Sequence, residues 1–194
     1  MDLYLVRHTT PRIEKGICYG QSDIEVVQEF FEKEKNAIVS RLPSAIDLLV
    51  HSPLKRCHQL SHGITKIIPA KKIREDERLM EMNFGNWELK NWNEIDAGEL
   101  DVWMKDFENA VVPGGESFQE LNARVMQLLN ELLIAGHQTV VIVSHSAPLR
   151  SIIANALEMP IKNIFRLPMD YGSVTKLTVD GNNCFSKIEY INNK

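Results

Sequence analysis

The segment Leu3-Tyr4-Leu5-Val6-Arg7-His8-Thr9-Thr10-Pro11 determines how the rest of the chain is interpreted. Its apolar run at residues 3–6 is bounded by polar residues and a proline, which is typical of a short, buried strand. Arg7 and His8 follow where this strand ends, and ligands bind at the carboxyl ends of strands in open α/β sheets. A guanidinium suits phosphate or carboxylate, and an imidazole can act as acid, base or nucleophile. The pair could equally begin an ordinary surface loop, so this segment alone leaves both interpretations open.

The composition of the 194-residue chain is that of an ordinary globular protein, with 44% hydrophobic and 25% charged residues, and its length suits one domain. The formal net charge of −4 gives no global basic field, so we expect neither nucleic acid nor a membrane as a partner. Three scattered cysteines fit no disulfide framework and favour a reducing compartment. Because a signal-peptide pattern and a run of transmembrane length are both missing, the expected location is the cytoplasm.

A second buried strand is predicted at residues 46–50, and it runs directly into His51. Ser52 as N-cap and Pro53 at the first helical position form a helix-start signal. Arg56 then falls in the first turn of that helix, near free backbone N–H groups and the positive end of the helix dipole. We therefore predict a second basic side chain beyond a strand end, with His51 as a loop residue near the pocket rather than a catalyst.

The clearest buried strand is predicted at residues 139–143, and His145 follows it, before a helix at about residues 149–157. If the three strands are parallel, their carboxyl ends share one edge of the sheet and bring two histidines and two arginines to one pocket. Such a pocket suits a phosphate-sized anion, and it contains a potential histidine nucleophile.

No set of metal ligands is apparent in the sequence, so attack by a histidine nitrogen is favoured over attack by metal-activated water, and no cofactor is expected. His58 and His62 have the i, i+4 spacing of a metal pair, but no glutamate lies between them. The favoured interpretation of this pair is a solvated helix face.

Periodicity along the rest of the chain indicates a layered α/β domain with a mainly parallel sheet. A first helix is predicted over about residues 24–40, capped by Ser22 or Asp23 and with Phe30 on its apolar face. A capping-box pattern at Ser117 opens another helix. Further strands are predicted at residues 72–74, 173–179 and 184–191.

A stretch at about residues 75–115 interrupts this alternation, with weak periodicity and short helices predicted at residues 91–109. Aromatic side chains gather in it: Phe84, Trp87, Trp92, Trp103 and Phe107. We interpret the stretch as an excursion from the sheet that covers the site, within a single domain spanning residues 1–194.

Five motifs follow one another along nearly the whole chain. They are Val6-Arg7-His8-Thr9, Ser52-Pro53-Leu54-Lys55-Arg56, Glu81-Met82-Asn83-Phe84-Gly85-Asn86-Trp87-Glu88, Pro113-Gly114-Gly115-Glu116-Ser117 and Ser144-His145-Ser146. In this order they resemble the motifs of the histidine phosphatase superfamily, which has the phosphoglycerate-mutase-like fold. The resemblance implies a three-layer α/β/α sandwich with a mainly parallel central sheet. It also implies a metal-independent phosphomonoesterase that acts through a phosphohistidine intermediate.

The resemblance also implies a role for each residue of the pocket. His8 would be the nucleophile, while Arg7, Arg56 and His145 would hold the phosphoryl oxygens. Glu81 would protonate the leaving oxygen and then activate water. These roles agree with the chemistry of phosphoryl transfer, in which catalysis is mostly positioning and charge stabilisation.

Three further residues are expected to contact the substrate, namely Thr9, Gln21 and Ser146. Thr9 is a departure from the family pattern, which usually has glycine after the nucleophile. Glu14 is a second departure, since the common form has asparagine six residues after that histidine. Because its charge would repel a phosphate, we expect Glu14 to point away from the site.

A finer resemblance lies in the loop after the first strand. Thr9-Thr10-Pro11 and Lys15-Gly16-Ile17-Cys18-Tyr19-Gly20-Gln21 resemble the α-ribazole phosphatase branch, which removes the 5′-phosphate of α-ribazole phosphate in cobalamin nucleotide-loop assembly. The implied partner is a small phosphorylated metabolite whose apolar ring Phe84 and Trp87 could border, unless both are core residues. A broad-specificity phosphatase, a phosphoglycerate mutase and a catalytically silent phosphate-binding module remain alternatives. The oligomeric state stays open, with a dimer allowed.

Overall fold

The computed structural model describes residues 1–179 and 187–194, which form a three-layer α/β/α sandwich around a mixed sheet. Its strands are β1 (Asp2–Arg7), β2 (Ile46–His51), β3 (Ala70–Glu75), β4 (Thr139–Ser144), β5 (Val174–Thr178) and β6 (Lys187–Asn193). Their order across the sheet is β3-β2-β4-β1-β5-β6. The first four in this order are parallel, whereas β5 is antiparallel to β1 and β6 to β5. The mainly parallel sheet predicted from the sequence is confirmed.

Helices cover both faces of this sheet. They are α1 (Gln28–Val39), α2 (Lys55–Thr65), α3 (Ala97–Lys105), α4 (Phe118–Ile134) and α5 (Ser146–Ala156). Successive side chains of β1 point to opposite faces, so Leu3 and Leu5 pack in the cluster that includes α4 and α5. Tyr4 and Val6 pack in the cluster that includes α1 and α2. Burial on both faces explains the continuous apolar run of this strand.

The predicted start of α1 is wrong, because neither Ser22 nor Asp23 caps this helix. Helix α1 begins at Gln28, and its N-cap residue has no side-chain hydrogen bond to it. Asp23 instead accepts the backbone N–H of Lys55 (2.8 Å), at the start of α2. Phe30 is also not on the buried face, since it is 52% exposed.

Helix α2 begins at Lys55, two residues later than the predicted start at Pro53. The Ser52 hydroxyl still accepts an N–H, that of Leu54 at 3.3 Å. His51 is the last residue of β2 and is buried, which corrects its assignment to a loop. Arg56 lies in the first turn of α2, as predicted.

Helix α5 begins at Ser146, three residues before the predicted start, and His145 is its N-cap residue. Pro148 therefore lies inside the first turn, where the N–H that proline lacks would have no helical partner in any case. The early start leaves the N–H groups of Ser146 and Ala147 available beside the strand ends.

The excursion at residues 75–115 contains α3 and the short 3₁₀ helices Glu77–Leu79, Gly85–Trp87 and Trp92–Glu94. Its aromatic rings pack on one another, with 5.9 Å between the ring centroids of Trp87 and Trp103. Both of these side chains are buried, so they belong to the core.

The C-terminal segments pair at one side of the sheet. The strand predicted at residues 173–179 is present as β5. The strand predicted at residues 184–191 is observed in part as β6, and its first residues, with Cys184, lie outside the described residues. The 3₁₀ helix Ile161–Arg166 was not predicted. Within residues 1–179 and 187–194, no helix is both long and apolar enough to cross a membrane.

Candidate active site

The ends of β1, β4 and β2 bring four predicted residues together at one edge of the sheet. His8 follows β1, His145 follows β4, and the two ring centroids are 5.1 Å apart. Arg56 reaches the same place from α2, and its Nε donates to Nδ1 of His145 (3.1 Å). Arg7 ends β1. Adjacent parallel strands therefore assemble the cluster, as the sequence indicated.

His8 has one free ring nitrogen. Its side chain is fully buried, and Nδ1 lies 2.7 Å from the carbonyl oxygen of Thr9. A proton on Nδ1 makes that hydrogen bond and leaves the lone pair on Nε2, which is buried and has no partner within residues 1–179 and 187–194. Burial, followed by the positive charges of Arg56 and Arg7, lowers the pKa of His8 well below 6.5. The ring is therefore neutral at neutral pH, the state that a nucleophile requires.

Arg56 is fixed by protein groups but keeps free donors. Its Nη1 donates to the carbonyl of Ser22 (2.8 Å) and its Nη2 to that of Gly20 (2.7 Å). With the bond to His145, three of about five N–H donors are used. The ring of Tyr19 lies 5.2 Å from the guanidinium carbon. Its other N–H groups make no hydrogen bond within the described residues.

Arg7 is held in a different way. Its Nη1 donates to the carbonyl oxygen of Met169, and its guanidinium carbon lies 3.9 Å from the ring centroid of Tyr171. The Tyr171 hydroxyl also hydrogen-bonds that of Tyr19 (2.9 Å), so two aromatic rings border the two arginines. The Nε of Arg7 is buried, and no described residue accepts a hydrogen bond from it.

His145 has protein partners at both ring nitrogens. Nδ1 accepts from Arg56, so the proton lies on Nε2, which is 2.8 Å from the Ser52 hydroxyl. The sulfur of Cys57 is 3.4 Å from Nε2. Burial, together with the charge of Arg56, lowers the pKa of His145 well below 6.5. This ring is therefore neutral and oriented, in contrast to the partly free ring of His8.

The Glu81 carboxylate is placed by backbone N–H groups. One oxygen accepts from Met82 (3.0 Å) and Ala147 (3.1 Å), and the other accepts from Ser146 (3.1 Å). Two of these donors are the first N–H groups of α5, where the helix dipole stabilises negative charge. The backbone carbonyl of Glu81 accepts from Arg124 (3.1 Å). The excursion is thereby joined to the edge of the sheet at Glu81.

The three predicted substrate contacts differ in how they are placed. Thr9 is fully buried, and its hydroxyl has no hydrogen-bond partner among the residues that the structure describes. Gln21 donates from its side chain to the carbonyl of Glu81 (3.0 Å). Ser146 gives its backbone N–H to the same residue's carboxylate. Glu14 is exposed, as expected for a carboxylate that would repel phosphate.

An apolar cavity of about 420 Å³ adjoins Glu81 and Ser146. Among its lining residues are Met82, Phe84, Trp92, Trp103, Phe118 and Phe165. Arg150 is the cation in the lining, and it donates to the Ser146 hydroxyl (2.7 Å). Phe84 thus borders the cavity, whereas Trp87 does not and is a core residue, only 1% exposed.

The helical histidine pair lies on the surface. His58 and His62 are exposed, and their Nε2 atoms are 3.1 Å apart. Within the described part of the chain, no group of three or more His, Cys, Asp or Glu side chains is arranged to hold a metal ion. The absence of a metal from the chemistry stays a prediction.

The comparison with known proteins establishes the family. The model described as "Histidine phosphatase superfamily (branch 1)" matches residues 3–193. The chain belongs to this superfamily. Relatives named as phosphatases are among its matches, and together with the family they show that the protein is a phosphatase, a hydrolase of phosphate esters.

Two curated relatives carry different substrate names. The adenosylcobalamin/alpha-ribazole phosphatase of Escherichia coli is 27% identical over 202 residues, which cover 100% of this chain and 97% of that protein. The phosphoserine phosphatase 1 of Hydrogenobacter thermophilus is 26% identical over 185 residues, which cover 93% of this chain and 87% of that protein. The crystal structure of the alpha-ribazole phosphatase from Shigella flexneri superimposes with a TM-score of 0.86 at 24% identity, covering 99% and 96% of the two chains. This last likeness shows the shared fold.

Several residues of the histidine phosphatase site were not anticipated from the sequence. Tyr171 lies three residues before Val174, the first residue of β5. Because β5 is antiparallel to β1, Val174 pairs with Val6 at the edge where His8 lies. The antiparallel pairing would have indicated this position. Arg150 lies four residues after Ser146 on α5, a spacing that places both on one helix face.

Proposed function

We propose that this histidine phosphatase hydrolyses α-ribazole 5′-phosphate through a phosphohistidine formed on His8. The observation that carries the chemistry is the buried Nε2 of His8, which has no partner in the described part of the chain. Its proton is fixed on Nδ1, and the guanidinium groups of Arg7 and Arg56 lie beside it. A neutral imidazole nitrogen among cationic donors suits attack on a phosphate ester.

In the first step, His8 Nε2 forms a bond to phosphorus while the bond from phosphorus to the ester oxygen breaks. Arg7 and Arg56 stabilise the charge on the equatorial oxygens. Glu81 binds a proton when the negatively charged phosphate ester lies beside it, and it gives that proton to the leaving oxygen, so that an alcohol departs. The Glu81 carboxylate lines the apolar cavity and accepts the N–H of Ser146, the residue after His145, which suits this role.

In the second step, Glu81 takes a proton from water, and the water oxygen attacks the phosphorus of the phosphohistidine. The nitrogen–phosphorus bond breaks, inorganic phosphate leaves, and neutral His8 is restored. A phosphoryl contact by His145 would replace its present hydrogen bond to Ser52 (2.8 Å). The Ser52 hydroxyl would then be free to donate to the same phosphoryl group.

The cavity beside Glu81 supports a leaving group with an apolar ring. The benzimidazole portion of α-ribazole is apolar and planar, and aromatic residues such as Phe84 and Trp103 line the cavity. Arg150 and Ser146 provide polar groups where the ribose hydroxyls would lie. Relatives named as alpha-ribazole phosphatases support the same substrate.

The deciding experiment is kcat/KM for α-ribazole 5′-phosphate beside a panel of sugar phosphates, 3-phosphoglycerate, phosphoserine and nucleoside monophosphates. Phosphoserine belongs in the panel because Arg150 offers its carboxylate one cation. We expect α-ribazole 5′-phosphate to exceed the median of the panel by at least about 10-fold. A value no better than the median would leave only a general phosphatase, and isomerisation of 3-phosphoglycerate would favour a mutase.

A further inference from the structure

The Glu88 carboxylate organises the loop at residues 20–22, although it makes no hydrogen bond to His8 or His145. One carboxylate oxygen accepts the backbone N–H of Gln21 (2.8 Å) and of Phe84 (3.2 Å). The other accepts both the N–H (2.7 Å) and the hydroxyl (2.6 Å) of Ser22. Hydrogen bonds to a charged acceptor are among the stronger ones in proteins, so the three from Gln21 and Ser22 hold this loop firmly, while the one from Phe84 fixes the carboxylate.

The same loop supplies two of the hydrogen bonds that orient Arg56. The carbonyls of Gly20 and Ser22 accept from its two terminal nitrogens, at 2.7 and 2.8 Å. Tyr19, which precedes this loop, places its ring against the guanidinium. The chain of contacts therefore runs from Glu88 through the loop to Arg56 and on to His145.

Gly20 allows the backbone of the loop to lie close to the Glu88 carboxylate. Its φ is +36°, and a Cβ at this position would lie 2.3 Å from a carboxylate oxygen of Glu88 and 2.7 Å from the carbonyl oxygen of Met82. A side chain here would displace Glu88 or the loop. The backbone is thus shaped to pack directly on the carboxylate.

We propose that Glu88 is a positioning residue for phosphoryl binding. By fixing the loop at residues 20–22, it sets the angle of the Arg56 guanidinium so that its remaining donors face the phosphoryl oxygens. The inference rests on the proposed role of Arg56 as a phosphoryl ligand.

The test is a double-mutant cycle between Glu88→Gln and Arg56→Ala, with inorganic phosphate as the probe. The amide of glutamine replaces one acceptor oxygen by a donor, so it cannot accept the four hydrogen bonds. We expect Glu88→Gln to raise the inhibition constant of phosphate about 10-fold. In the Arg56→Ala background the same change should have an effect of less than about 2-fold, because the group it positions is gone.

Glu120→Gln is the matched control. Glu120 also accepts the N–H (2.8 Å) and hydroxyl (2.9 Å) of one serine, Ser117, at the start of α4. Glu120→Gln should lower the midpoint temperature of thermal unfolding without changing the inhibition constant of phosphate. Ser22→Ala removes only the hydrogen bond from the Ser22 hydroxyl to Glu88, and it should weaken phosphate binding by about 3-fold. This variant replaces Glu88→Gln in the test if Glu88→Gln does not fold.

The outcomes separate the two proposals. Phosphate inhibition unchanged in Glu88→Gln, or in Ser22→Ala if the first variant does not fold, overturns the positioning role. The positioning role is also overturned if the double variant raises the inhibition constant of phosphate by the product of the two single-variant effects. If Arg56→Ala itself leaves phosphate inhibition unchanged, the phosphoryl role of Arg56 in the proposed function is wrong, and the inference falls with it.

Discussion

The edge of the sheet and the excursion at residues 75–115 contribute to the proposed active site by different means. At the edge, the order of the adjacent parallel strands β2, β4 and β1 brings Arg56, His145 and His8 together. In the excursion, Glu81 is placed by hydrogen bonds to N–H groups of α5 and by contacts of its own carbonyl. In our account the edge holds the phosphoryl group, whereas the excursion supplies the proton and selects the leaving group.

The largest effect on activity should come from a substitution at the edge of the sheet. For His8→Ala we expect kcat/KM to fall by about 10⁴-fold or more, because no other group supplies the attacking nitrogen. The fold should persist, since the side chain makes one hydrogen bond, to the adjacent Thr9. Steady-state turnover and circular dichroism check both points. The exposed His62 provides a control, and His62→Ala should keep normal activity. Near-normal turnover by a folded His8→Ala protein would contradict the covalent mechanism.

In the excursion, substitution of Glu81 should reduce activity by an amount that depends on the leaving group of the substrate. For Glu81→Gln we expect a loss of about 10²- to 10⁴-fold with alkyl phosphates, because the departing alkoxide needs a proton. With p-nitrophenyl phosphate the loss should be much smaller, since this leaving group departs without one. The measurement is kcat/KM for both esters in both proteins. Equal losses would show that Glu81 is not the acid.

The buried histidines of the edge should make stability depend on pH. Burial and the neighbouring arginines lower the pKa of His8 and of His145, so the native state binds fewer protons than the unfolded state just below pH 6.5. The free energy of unfolding should therefore fall with decreasing pH, by up to about 1.4 kcal/mol per pH unit for each histidine. It should level off only below the folded-state pKa values.

Urea denaturation between pH 7.5 and pH 5 measures this slope, with about 0.5-unit steps in pH. His145→Gln should reduce the slope, because one titrating group is removed, and His62→Gln should not. A stability that does not change over this range would contradict neutral, buried histidines at the edge.

The smallest expected effect is that of a chelator. Neither the edge nor the excursion needs a metal in the proposed mechanism, so turnover should be unchanged after prolonged dialysis against EDTA. Loss of activity that a divalent metal restores would instead favour metal binding by His58 and His62.

The cluster of Arg7, His8, Arg56 and His145 at the strand ends could be predicted because local sequence signals specified it. A short buried run followed by Arg7-His8, and the same pattern at His145, needs only parallel pairing to bring the side chains together. The helix carrying Arg56 was also anticipated, although its first residue was placed two positions too early. These features depend on strand order, which alternating strands and helices largely determine.

The remaining contacts depend on long-range partners that outcompete local signals. Ser22 has the chemistry of a helix cap, yet it bonds Glu88, 66 residues away. Ser52 lies 93 residues from His145, whose ring it contacts. Tyr171 reaches Arg7 only because β5 is antiparallel to β1, an orientation that its β-like sequence does not specify. Local propensity cannot reveal such partners.

The most direct test of the central claim is detection of the phosphoenzyme. The protein is mixed with a radiolabelled phosphate ester, quenched in alkali, where a phosphohistidine bond survives, and digested for peptide mapping. We predict an alkali-stable, acid-labile label on the peptide that contains His8, absent from the His8→Ala protein. A protein that turns over the ester without forming such a label, or one labelled at another residue, would contradict nucleophilic attack by His8.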